Sequence, residues 1–87
     1  MSHSFTLMLV DEMPSVIKRV ESEIKDQGGI FNGNTECGSF AGKSVLGMVK
    51  GEYRCIAEDE IIITITDKPF LVPYGMVESE IRKYFTA

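Results

Sequence analysis

The sequence predicts an α+β fold: an antiparallel sheet of four to five strands with two helices packed on one face, in the order β-α-β-β-β-β-α. Apolar residues recur at helical spacing twice, once near each end of the chain. Between those segments the pattern Gly-x-apolar-x-Gly occurs at residues 29–33, 38–42 and 47–51, with starts nine residues apart. A short strand followed by a tight turn fits that period. With 87 residues, we expect a single domain over residues 1–87.

The segment before the glycine pattern predicts one strand and one helix. Residues 5–10 are apolar apart from one threonine, which is typical of a strand. Pro14 suits the first turn of a helix, and apolar residues follow on one helical face as far as Ile24. Gly28 and Gly29 are expected to end this helix, because glycine adopts the left-handed capping conformation at low cost.

The three glycine motifs predict an antiparallel meander. In each motif the central apolar residue lies between two glycines on one face of the strand. Pairing position 33 with 38 places Phe31 opposite Phe40, and pairing 42 with 47 places Phe40 opposite Val49. Each pairing leaves a four-residue turn. We expect aromatic rings to lie across the bare glycine backbone of the neighbouring strand.

A strand and a second helix complete the predicted fold. Residues 61–66 are β-branched at every position, which favours a strand. After Pro73, apolar residues at spacings of four, three and one predict an amphipathic helix. The predicted core collects the inward-facing residues of all these elements: Leu7, Leu9, Val16, Val20, Ile24, Phe31, Phe40, Val49, Ile61, Ile63, Ile65, Val77, Ile81 and Phe85.

Charge and hydropathy exclude several classes of partner. The chain has 13 acidic and 9 basic residues, for a net charge of −4, and its bases do not cluster. This balance argues against a nucleic-acid partner. The longest apolar runs fall far short of the roughly 20 residues that a membrane-spanning helix needs, and no signal-peptide pattern is present. We therefore expect no membrane span and a cytoplasmic location, where thiols stay reduced.

Three other features of the sequence have some of the marks of a catalytic or ligand site. Residues 38–44 resemble a phosphate-binding loop, but only three residues separate its glycines and no helix start follows. His3 is the single histidine and lies in a terminal segment expected to be loose, so it lacks the fixed geometry of a catalytic base. A hairpin turn explains the acidic run at residues 58–60. We expect no catalytic residue, no metal and no cofactor.

Cys37 and Cys55 are the basis of an alternative function. They lie eighteen residues apart, which is two periods of the nine-residue pattern, so they occupy equivalent positions in it. Two half-buried thiols without a redox role are the simpler interpretation in a reducing compartment. Adjacent strands would nevertheless allow the pair to lie close together, and the protein would then be a small thiol-based redox protein or enzyme.

The segment at residues 69–74 is the candidate binding site. Its apolar residues Phe70, Leu71, Val72 and Tyr74 join the last strand to the last helix, and two prolines stiffen it. If the segment lies against the core, it contributes packing alone. If it is partly exposed, it forms an apolar patch suited to a protein partner, a lipid-like ligand or a hydrophobic surface.

Five features follow one another in the second half of the chain: a glycine-flanked strand start, an acidic turn, an isoleucine strand, an apolar connection and a closing helix. They occupy residues 47–51, 58–60, 61–66, 70–74 and 77–83. In this order of elements, residues 45–85 resemble the polyhydroxyalkanoic acid system family, small bacterial proteins associated with polyester storage granules. The resemblance implies a non-enzymatic bacterial protein that docks on a hydrophobic polymer surface or on another protein.

The sequence names no reaction, and we predict a non-enzymatic accessory or binding module. Its partner is expected to be a hydrophobic polymer granule surface or an unidentified protein. The competing hypothesis is the thiol-based one. A homodimer formed through a sheet edge is a further alternative, because short edge strands offer unpaired backbone groups.

Overall fold

The computed structural model describes residues 3–44 and 46–86 and confirms the predicted order of elements. Five strands form one antiparallel sheet in the order β1-β5-β4-β3-β2. The elements are β1 (His3–Met8), α1 (Met13–Asp26), β2 (Ile30–Gly33), β3 (Cys37–Ser44), β4 (Gly47–Cys55), β5 (Glu60–Asp67) and α2 (Tyr74–Thr86).

Both helices cover the same face of the sheet. Along β5, alternate isoleucines are completely buried while the residues between them are partly exposed. Each residue of the predicted core is at most 9 % exposed. The structure adds Met13, Ile17 and Tyr53 to that core. The opposite face of the sheet is uncovered in the described residues and carries polar contacts such as the hydrogen bond between the hydroxyls of Ser4 and Thr64 (2.8 Å).

The first helix ends as expected at its glycines. Gly28 has a φ of +83°, and its N–H donates to the carbonyl of Lys25 at 3.0 Å. The N–H of Gly29 donates to the carbonyl of Ile24 at 2.8 Å. These bonds satisfy carbonyls at the end of the helix and turn the chain into β2.

One of the two predicted registers is confirmed and the other is wrong. Phe31 lies opposite Phe40, as predicted. Phe40 lies opposite Gly51 and not opposite Val49, which pairs with Gly42. The β3–β4 connection is shorter than predicted, because Ser44 pairs with Gly47. Gly47 has a φ of +115°, a conformation that favours glycine, and this allows the tight turn.

Aromatic rings lie across strand glycines, as predicted. A Cβ atom placed on Gly51 would lie 2.6 Å from Cζ of Phe40. A Cβ placed on Gly38 would lie 2.6 Å from Cε1 of Tyr53. The absent side chains therefore make room for rings from the neighbouring strands, and these rings fill the core on that half of the sheet.

The connections between elements form two chemically different ends. Because the strands are antiparallel, successive connections alternate between the ends of the sheet. One end, here called the acidic pole, holds five acidic residues and no basic one in residues 9–12, 34–36 and 56–59. The other end, here called the apolar pole, holds no acidic residue and one lysine in residues 27–29, 46 and 68–73.

Candidate functional site

The β5–α2 connection projects two large apolar side chains into water. Phe70 is 92 % exposed and Leu71 is 87 % exposed. The chain turns tightly here, since the N–H of Val72 donates to the carbonyl of Pro69 at 3.1 Å. This turn directs the side chain of Val72 back against the core. Of the two alternatives for residues 69–74, packing against the core or partial exposure, the structure shows partial exposure. Phe70 and Leu71 are hereafter called the tip.

The base of the tip is braced on both sides. Pro69 packs on Gly47, where a Cβ atom would lie 2.7 Å from Cγ of the proline. Nζ of Lys68 donates to the carbonyl of Pro69 at 3.3 Å and lies 4.8 Å from the ring centroid of Tyr74. The residues on either side of the tip are therefore in contact with β4 and α2.

His3 contributes to this brace, contrary to the expectation of a loose terminal position. It belongs to β1, and its ring stacks on Tyr74 with centroids 4.9 Å apart. Its Nε2 lies 3.4 Å from Oε1 of Glu78. A histidine can hold a ring stack and a carboxylate contact at once because its ring is both flat and polar. These contacts indicate a structural role for His3.

The four predicted site residues thus divide into two pairs. Phe70 and Leu71 form the exposed surface, whereas Val72 and Tyr74 are half-buried and hold the loop. Sequence reasoning missed His3 and Lys68 as parts of the same site. Their signal was weak, because the β1–β5 pairing that brings His3 to this loop joins distant parts of the chain.

The two cysteines of the alternative hypothesis lie on opposite faces of the sheet. Cys37 is exposed on the uncovered face, where its strand partner is Arg54. Cys55 follows Arg54 in β4 and so points to the helix-covered face, where it packs against the core. Both thiols are free. Burial, helped by Cys37 and Glu36, raises the pKa of the Cys55 thiol.

We expect the two thiols to differ in reactivity. Cys37 should react rapidly with a chromogenic disulfide reagent, whereas Cys55 should react slowly because it is less accessible and forms less thiolate at neutral pH. The rate of thiol titration of the native protein checks this, with Cys37→Ser as the variant that should lose the fast phase only. Two equally fast thiols would contradict this assignment and revive the redox hypothesis.

Other concave regions do not form a comparable site. An apolar cavity between the helices and the sheet has a volume of about 50 Å³, far below the roughly 300–1,000 Å³ of typical small-molecule pockets. A cleft of about 640 Å³ at the acidic pole is lined by Asp11, Glu12, Glu58 and Asp59. Among the described residues, no group of three or more histidines, cysteines or carboxylates is arranged to hold a metal ion.

Residues 38–44 and 58–60 have the roles that their spacing suggested. The first segment lies within β3 and leads into a strand. The second lies at the β4–β5 hairpin, where the N–H of Ile56 donates to the carbonyl of Glu60 at 3.0 Å.

In the part of the chain that the structure describes, neither helix is long and apolar enough to cross a bilayer. No family model matches the chain, and no curated protein or solved structure matches it.

Proposed function

We propose that the protein is a non-enzymatic docking module that binds an apolar surface through Phe70 and Leu71. The observation that carries this proposal is the near-complete exposure of both side chains on a braced loop. Single exposed apolar residues are ordinary on protein surfaces. Two adjacent ones on a turn that is stiffened by prolines lose little conformational entropy on binding, and this pre-organisation favours docking.

Two surfaces are candidates for this docking. The resemblance over residues 45–85 supports a hydrophobic polymer granule, and an apolar groove on a protein partner is the other. The net charge of −4 disfavours nucleic acid. We propose a cytoplasmic location in a bacterial cell, which the resemblance and the two free thiols support.

A hydrophobic dye tests whether the tip is the binding surface. We expect the fluorescence of an environment-sensitive apolar dye to rise with the wild-type protein and to fall sharply with Phe70→Asp, because the charge removes the apolar contact. Val10→Asp is the matched control, since Val10 is 85 % exposed and lies at the acidic pole. Equal dye binding by Phe70→Asp and the wild type would refute the proposed site.

A further inference from the structure

The distribution of charge between the two poles bears on the kind of surface that the tip can meet. Five carboxylates at the acidic pole would lose hydration if that end were buried, and Arg19, 3.4 Å from Asp11, is the cation that pairs with one of them. The connections of the apolar pole carry one charged side chain, Lys68, and no carboxylate, although exposed Asp26 and Asp67 end α1 and β5 beside them. The protein is therefore expected to bind an apolar surface with its apolar pole and to keep its acidic pole in water.

The shape of the tip favours a deformable surface over a preformed groove. A stable protein interface buries roughly 1,200–2,000 Å² of surface, which needs a broad face. The tip offers two side chains on a convex turn, with Met48 and Met76 half-exposed at the same end of the molecule. A fluid layer closes around such a projection and needs no complementary pocket.

The residues at the base of the tip suit the boundary of a lipid layer. Lys68 extends its charged group beside Tyr74, and long cationic side chains place their stems in apolar surroundings while the charge stays in water. Tyrosine is enriched at the level of lipid headgroups because its ring is apolar and its hydroxyl is polar. Phe70 and Leu71 are more exposed than both.

We propose that the tip inserts into the surface of an uncharged, zwitterionic phospholipid layer, with the apolar pole facing the layer and the acidic pole facing water. This inference rests on the proposed docking function and names the surface for it. The charged side chains at the apolar pole are of both signs, with Asp67 next to Lys68, so anionic lipid is not expected to strengthen binding. Insertion of the two side chains supplies the affinity.

The absence of tryptophan from the chain allows a direct test of this orientation. Phe70→Trp and Val10→Trp each place a single indole, one at each pole, at positions exposed enough to accept it. With vesicles of phosphatidylcholine, we expect the emission of Phe70→Trp to shift to the blue and to be quenched by lipids with brominated acyl chains. The emission of Val10→Trp should be unchanged.

The affinity for phosphatidylcholine vesicles is measured from the partition of the wild type, Phe70→Asp and Val10→Asp between water and the vesicles. Phe70→Asp should bind roughly tenfold more weakly or worse, as expected from the loss of one inserted aromatic side chain. Val10→Asp should match the wild type. Replacing part of the phosphatidylcholine with phosphatidylglycerol should leave binding equal or weaker.

Three outcomes would overturn the inference. Quenching of both tryptophan variants would show adsorption without a preferred pole, and stronger binding to phosphatidylglycerol would show that charge selects the surface. If the emission of Phe70→Trp neither shifted nor was quenched with vesicles, a lipid layer would be excluded as the surface that the tip binds. If the dye still distinguished Phe70→Asp from the wild type in that last case, the proposed docking site would stand and a protein groove would become its partner.

Discussion

Gly38→Ala is expected to lower the free energy of unfolding by about 1–3 kcal/mol, the usual cost of an overpacked core position. The new Cβ would lie 2.6 Å from both Cε1 and the hydroxyl oxygen of Tyr53 and 2.7 Å from the carbonyl oxygen of Asn32. The ring cannot move aside freely, because its hydroxyl donates to the carbonyl of Asn34 at 2.6 Å. Urea denaturation followed by circular dichroism measures this change.

Gly42→Ala is the matched control, because it makes the same change in the same strand and the same glycine motif. A Cβ at Gly42 would have one neighbour within 4 Å, Cγ2 of Ile24 at 3.9 Å, which is ordinary contact. We expect Gly42→Ala to be neutral or stabilising by up to about 1 kcal/mol, since alanine restricts the unfolded chain. Equal effects of the two substitutions would show that the ring of Tyr53 does not require a bare backbone at Gly38.

Tyr53 is expected to make the protein lose stability at alkaline pH. Its side chain is 2 % exposed, and burial, with smaller contributions from Cys55, Cys37 and Glu21, raises its pKa from 10.0 to about 12. Above pH 10 the unfolded chain releases this proton while the folded protein keeps it, so unfolding is favoured as pH rises. The loss should reach roughly 2–3 kcal/mol by about pH 12, where the folded protein also ionises.

Tyr53→Phe should be less stable than the wild type near neutral pH and more stable than the wild type at alkaline pH. Near neutral pH the variant should be less stable by about 1 kcal/mol, since the carbonyl of Asn34 loses its donor. Above pH 11 it should become the more stable protein, because phenylalanine has no proton to lose. Denaturation curves at several pH values check this, and Tyr84→Phe should retain the alkaline loss. Parallel curves for Tyr53→Phe and the wild type would contradict the assignment.

The faces of the strands could be predicted from sequence more securely than their register. Period-two alternation fixes which residues point inward, and the error in placing Phe40 was a shift of two positions, which leaves the face unchanged. The register depends on the length of the turn. The glycine pattern did not reveal that Gly47 adopts a positive φ and shortens the connection.

Tyr53 was missed as a core residue for a related reason. It stands between Glu52 and Arg54, in a strand whose outward positions after Met48 are charged. Its burial depends on the bare backbone of Gly38 in the adjacent strand, which is a property of the pairing and not of the segment itself. Local sequence shows an aromatic residue beside charges, and only the neighbouring strand shows what covers it.

The candidate site was identified from sequence, but its exposure was not. A proline-flanked apolar segment is compatible with either a packed connection or a projecting one. In the structure the connection projects, with a hydrogen bond from the N–H of Val72 to the carbonyl of Pro69 and a contact of Pro69 with Gly47. These interactions turn Val72 inward and leave Phe70 and Leu71 outside, a distinction that hydropathy alone cannot make.

The placement of β1 constrains the order in which the chain acquires its structure. Strands β2 to β5 follow one another and pair with their neighbours in sequence, so their contacts close only short loops. Among the described residues, β1 pairs with β5 alone, as in the pairing of His3 with Ile65. β1 can therefore join the sheet only after β5, which begins at Glu60, has formed, and we expect this long-range pairing to be a late step of folding.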